Sequence, residues 1–217
     1  MRRSLSAVAA ALLAFLLVGC DRALPKYEFS LTRINADGRA YEGEGNYAQH
    51  PWSCVHDNKT GLTWEVKTEA SGLHGAANTV TWFNKDEMAN LGYEGKANGG
   101  VCSGSACNTA AFIDAVNAEH LCGYSDWRMP TKDEASTIID VTIRFPGPTV
   151  PQAFFPNTRG DKLGYWTGTA FEKHMSGAWA WRLDHGADFV APKDEPRFVI
   201  AVRGSANTTK DASTSAK

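Results

Sequence analysis

The chain lacks a run of apolar residues long enough to cross a bilayer. Its longest, residues 5–18, falls short of the roughly 20 a spanning helix needs. It lacks an excess of basic charge: 22 Lys and Arg face 24 Asp and Glu, for a formal charge of −2. That balance argues against a nucleic-acid partner, which wants a basic face, and weakens the case for a polyanionic ligand. There is no H-E-x-x-H, G-x-S-x-G, phosphate-binding loop or kinase motif set. No cysteine pair has C-x-x-C spacing and no two histidines stand three to five residues apart, so a zinc site has no local signature. Gly43-Glu44-Gly45 is at most half a dinucleotide fingerprint, with neither a strand before it nor a helix after it. No internal repeat is present.

What is present begins at the amino terminus. Arg2 and Arg3 precede the apolar run, which ends in Leu17-Val18-Gly19-Cys20. This segment resembles the lipobox of bacterial lipoproteins. The resemblance implies that residues 1–19 are a signal peptide and that Cys20 is acylated as the first mature residue. It places the protein in the bacterial cell envelope, held to a membrane by lipid and facing the periplasm or the cell surface. Removing Arg2 and Arg3 with residues 1–19 moves the formal charge from −2 to −4.

Five cysteines are an odd set for an oxidising compartment; setting Cys20 aside leaves Cys54, Cys102, Cys107 and Cys122. Four cysteines allow three pairings. Cys102–Cys107 and Cys54–Cys122 are expected, because the small residues between Cys102 and Cys107 let that hexapeptide close on itself. Metal ligation and free thiols are the competing readings.

Residues 20–46 hold scattered charge, Pro25 and three glycines with little apolar periodicity, and are expected to be a tether. Residues 205–217 are small and polar and read as a disordered tail, leaving a folded unit over 47–204. Within it, residues 54–57 and 62–66 flank Asn58-Lys59-Thr60-Gly61, a hairpin pattern that puts Leu62, Trp64 and Val66 on one face. Residues 84–107 form a glycine-rich loop with a helical turn near 86–90. Asn108 reads as the N-cap of a helix that ends before Gly123. Thr131 with Glu134 reads as a capping box opening a second helix, whose apolar face is Ile138 and Ile139. Pro146, Gly147, Pro148, Pro151 and Pro156 make 144–164 irregular. Strands are expected at 165–169, 178–183 and 198–202. The fold class is α+β, with two helices and antiparallel strands around one mixed core.

Several segments together resemble the DUF1566 family, also called the Lcl C-terminal domain: Trp52-Ser53-Cys54-Val55, Thr60-Gly61-Leu62-Thr63-Trp64-Glu65, Gly123-Tyr124-Ser125-Asp126-Trp127-Arg128-Met129-Pro130-Thr131, Tyr165-Trp166-Thr167 and Val202-Arg203-Gly204. The family has leucine where Met129 stands. The resemblance implies a C-type-lectin-like fold with long loops, related to the formylglycine-generating enzymes, in modules of the cell surface or envelope. The adhesin that names the family binds sulfated glycans. Read from the residues alone, the tryptophan–arginine segment is a structural elbow. Trp127 is expected in the core, Arg128 on a carboxylate or carbonyls, and Asp126 in a turn or cap.

Candidate ligand-binding residues are the aromatic cluster Phe171, Trp179 and Trp181, with Lys173 and His174 as a rim. Alternation puts Trp179 and Trp181 on one face of a strand, which either packs inward or lines a groove. Asp57 beside His56 and Asp184 beside His185 are expected on the surface, pointing apart as strand neighbours do. Asp184, Asp188, Asp194 and Glu195 are candidate calcium ligands, without the signatures of calcium-dependent lectins; otherwise no cofactor is expected. No catalytic residue is assigned. The resulting expectation is a lipid-anchored, non-catalytic module that binds a neutral or weakly charged glycan or an envelope protein. The alternatives are a periplasmic enzyme of the formylglycine-generating group or a structural lipoprotein docked on an envelope complex.

Overall fold

A computed structural model describes residues 28–205. Residues 1–19, Cys20 and all but the first residue of the 205–217 tail lie outside the described residues. The order is β1 (Leu31–Ile34), β2 (Cys54–Asp57), β3 (Thr63–Glu65), β4 (Thr79–Val80), α1 (Glu87–Asn90), β5 (Gly100–Val101), α2 (Thr109–Ala118), α3 (Lys132–Ser136), β6 (Tyr165–Ala170), β7 (Gly177–Arg182), β8 (Ala187–Pro192), β9 (Arg197–Phe198) and β10 (Val202–Arg203). A four-stranded sheet runs β1-β2-β3-β10, all antiparallel. A six-stranded sheet runs β5-β4-β9-β6-β7-β8, with β6 and β9 parallel. The chain is α+β, as its element pattern predicts.

The hairpin of β2 and β3 forms as expected. The Asp57 carboxylate accepts from Lys59 N and Thr60 Oγ1, and Gly61 turns at φ +78°. Leu62, Trp64 and Val66 are buried, but so are Thr63 and Glu65, because β3 is central in its sheet and covered on both faces. The run 198–202 is two strands rather than one. Phe198 pairs in the large sheet and Val202 in the small one, and the buried residues between them carry the chain across.

Both helix starts are where the caps place them. Asn108 Oδ1 accepts from Ala111 N at 2.8 Å, and the Thr131–Glu134 capping box is complete. α3 stops at Ser136, so Ile138 and Ile139 lie beyond it, although Ile138 is still core. The tether expectation is corrected for 31–34: β1 pairs with β2 from Leu31↔Asp57 to Ile34↔Cys54. Its signal is weak because Leu-Thr-Arg-Ile is an edge strand, half-exposed throughout. β8 also went unforeseen. It pairs with β7 over six residues, after a turn at Gly186 (φ +72°).

Cys54–Cys122 and Cys102–Cys107 are disulfides, with Cα atoms 6.6 and 5.6 Å apart. In the chain-entropy model the first, closing a 68-residue separation, contributes about 4 kcal/mol and the second about 2 kcal/mol.

Candidate functional site

The outer face of β7 carries the aromatic cluster expected from sequence. Ala178 and Ala180 point inward and are fully buried, while Trp179 and Trp181 face out and are half-buried. Phe171 meets Trp179 edge-on, ring centroids 5.4 Å apart. This face is already occupied. Lys132, the first residue of α3, sets its Nζ 4.1 Å from the Trp179 ring centroid and pairs with Asp188 at 3.0 Å. The hydrogen bond to Asp188 raises the Lys132 pKa. Trp181 Nε1 donates to Lys132 O at 3.0 Å. Lys173 and His174 are exposed in the turn between β6 and β7, where the His174 ring bonds only its neighbour Ser176 Oγ at 2.9 Å.

The open site lies elsewhere. A groove of about 630 Å³ runs between the start of the small sheet and the irregular segment after α3. Five stretches of chain line it: Arg33 from β1, Asn46 and Tyr47, Trp52, Glu69, and Gln152 to Asn157. Trp52 is its floor, 2% exposed, with Nε1 donating to Phe154 O at 2.9 Å. Tyr47 stands perpendicular to Trp52, centroids 4.9 Å apart. The Arg33 guanidinium lies 4.4 Å from the Trp52 ring centroid and 5.0 Å from that of Phe154, and Nη2 donates to Ala153 O at 3.0 Å. Arg33 Nε is buried with no partner among the described residues. Burial raises the Tyr47 pKa, a hydrogen bond with Asn157 works against it, and nearby Glu69 adds to it, so the phenol stays protonated. Asn157 is itself fixed, Nδ2 donating to Lys67 O at 2.8 Å.

No motif announces this groove, because its residues come from 33 to 157 and two of its walls read as tether and irregular loop. The density of Tyr41, Tyr47 and Trp52 was the available signal. A second cleft lies along Phe83, Asn84, Ala110 and Asp114 at the start of α2.

Charged groups elsewhere are closed in upon one another. Fully buried Glu65 accepts from Lys67 Nζ (2.7 Å), from Ala201 N (2.8 Å) and from His74 Nδ1 (2.7 Å); His74 Nε2 lies 3.0 Å from Glu119. Carboxylates only accept, so both ring nitrogens of His74 donate and the ring is a cation. Burial opposes that charge, but the hydrogen bond and charge of Glu65, with Glu119 behind, raise the His74 pKa. Buried Lys193 donates to Asn90 O and Tyr93 O, both at 2.7 Å, over the Trp82 ring; burial lowers it to about 8.

Asp184 and His185 are not the divergent surface pair expected. They sit in the turn after β7, not in a strand, where buried Asp184 takes His185 Nδ1 at 2.6 Å and also holds Arg182. The four acids expected as calcium ligands are dispersed: Asp188 is on Lys132, Asp194 on Tyr93 and Glu195 on Arg197. Among the described residues no three His, Cys, Asp or Glu side chains gather as a metal site.

The elbow segment is a clasp. Arg128 grips Glu134 through both terminal nitrogens at 2.6 Å and donates to Gly204 O at 2.7 Å, joining α3 to the end of the small sheet. Buried Trp127 donates from Nε1 to Leu121 O at 3.0 Å. Asp126 pairs with Arg203 at 2.7 Å instead of capping a turn, and Arg203 lies 3.6 Å from the Tyr124 ring centroid. These contacts gather the sequence segments that are far apart in the chain but shared with other proteins. The model of the Lcl C-terminal domain matches residues 53–203, most of the described chain. No curated protein and no solved structure matches. With a match that takes in the whole of the large sheet and β2, β3 and β10 of the small one, the chain belongs to the Lcl C-terminal domain family.

Proposed function

We propose that this protein is a lipid-anchored envelope module that binds a neutral or weakly charged glycan, without transforming it, in the groove between Tyr47 and Gln152. The observation that carries the reading is the groove itself: an open cavity of about 630 Å³ with an aromatic floor, one half-exposed tyrosine ring and amide residues in its lining. Such concave sites with a few placed polar groups are where ligands bury most of their surface. Two disulfides fit an oxidising compartment. Cys20, acylated, supplies the anchor. Only seven residues separate it from Glu28, so the domain stays within about 28 Å of its lipid. The anchor thus holds the module close to the bilayer and not on a 27-residue tether.

Glycan arrays probed with the full chain and with Tyr47→Ala test this. Binding by the wild type and at least a tenfold loss in the variant are expected, and membrane fractionation of Cys20→Ser should find the protein released. Blank arrays with one stoichiometric envelope protein recovered in pull-downs end the glycan reading.

A further inference from the structure

Arginines in this fold end on acids. Arg39, Arg128, Arg159, Arg182, Arg197 and Arg203 each reach a carboxylate within the fold. Arg144 is exposed on a loop. Arg33 is sheltered and has no acid partner among the described residues. It is nevertheless held in place, its plane between Trp52 and Phe154 and one hydrogen committed to Ala153 O. A cation fixed by rings and left without an anion, at the wall of the groove described above, is a receptor waiting for a charge. The guanidinium fork matches a carboxylate in geometry, and a preorganised fork loses little entropy on binding one.

We propose that Arg33 receives a single carboxylate of the ligand, so that the groove takes an acidic hexose residue of the uronic type. The inference rests on the glycan reading and narrows it to the weakly charged end. One arginine matches one carboxylate. Glu69, which also lines the groove, disfavours a second negative charge, which sets this ligand apart from a sulfated polyanion. The protonated Tyr47 hydroxyl and Gln152 supply hydrogen bonds for sugar hydroxyls, and the Tyr47 ring offers an apolar face to a pyranose.

The test is calorimetric titration of the full chain in detergent with galacturonosyl-galactose, which carries one carboxylate, neutral galactobiose, a sulfated heparin tetrasaccharide and a dipeptide with a free carboxylate. The monouronate is expected to bind at least tenfold more tightly than galactobiose. Arg33→Met, which keeps the stem between the rings and removes the charge, should erase that preference. Arg33→Lys, which keeps the charge without the fork, should retain part of it and decides the matter if the methionine variant does not fold. Equal affinity for the acidic and neutral sugars in the wild type overturns the proposal and leaves the glycan groove standing. Tightest binding of the heparin fragment or the dipeptide overturns it in favour of a polyanion or a peptide terminus. No binding of any sugar removes both readings together.

Discussion

Two cations lie on tryptophan rings at the surface of this domain, and they differ in what else they touch. Lys132 covers Trp179 and is neutralised by Asp188 from the neighbouring strand. Arg33 covers Trp52 at a similar distance and meets no acid among the described residues. The aromatic residues around β7 are closely spaced in sequence and look like a binding face, and Lys132 of α3 lies against their rings. Those around Trp52 are scattered in sequence, yet the fold opens a groove beside them. Aromatic density marks where apolar area accumulates. Whether a face is free depends on what distant segments lay across it.

The largest expected difference between the two regions is in stability. Trp52→Ala removes a side chain 2% exposed that supports Arg33, Tyr47 and Phe154, and should cost about 3–5 kcal/mol. Trp179→Ala removes a half-buried ring and should cost about 1–3 kcal/mol. Urea denaturation of both variants checks the order. A larger loss for Trp179 would make the β7 face the structural heart and the comparison would fail.

How much of this was legible follows from the range of each interaction. The hairpin turn, the Asn108 cap, the Thr131–Glu134 box and the small Cys102–Cys107 loop are fixed within a few residues, and all were readable. Arg128 was assigned to a carboxylate or carbonyls and takes both, because an arginine beside a buried tryptophan has few other ways to be satisfied. β1 was not readable: four half-exposed residues on a sheet edge carry no clean alternation, and only pairing with β2 makes them a strand. The groove was not readable for the same reason at larger scale, since Arg33, Trp52, Glu69 and Asn157 share no periodicity. Asp184 and His185 were misjudged because a turn, unlike a strand, lets adjacent side chains converge.

The cluster around Glu65 sharpens the contrast between satisfied and unsatisfied cations with a pH dependence. His74 is bracketed by Glu65 and Glu119, with Lys67 on the same Glu65 oxygen. Its folded pKa lies above the ordinary 6.5, so its stabilising contribution is complete below that pH and is lost as pH rises through the folded value. The Glu65 pKa is lowered, burial being outweighed by Lys67 and His74. Its contribution is complete above 4.5 and is lost on acidification through the folded value. Thermal melts should therefore show the widest gap between wild type and His74→Gln at pH 4.5–6.5, narrowing on the alkaline side. A gap that widens with rising pH would mean that His74 is buried neutral.

The smallest expected effect separates the two tryptophan faces most cleanly. Lys132 and Asp188 are each about one-third exposed, so their ion pair is worth little, and Lys132→Met should leave stability nearly unchanged. The substitution keeps an apolar stem near Trp179 while removing the charge that ties α3 to β8. If the β7 face were a ligand site held shut by this pair, loosening it would strengthen binding to Phe171 and Trp179. The expected result is glycan affinity within twofold of wild type, measured by the same titration used for Arg33. Trp181 Nε1 bonds the Lys132 carbonyl, a contact the methionine variant retains, so the face stays closed by backbone even when its ion pair is gone.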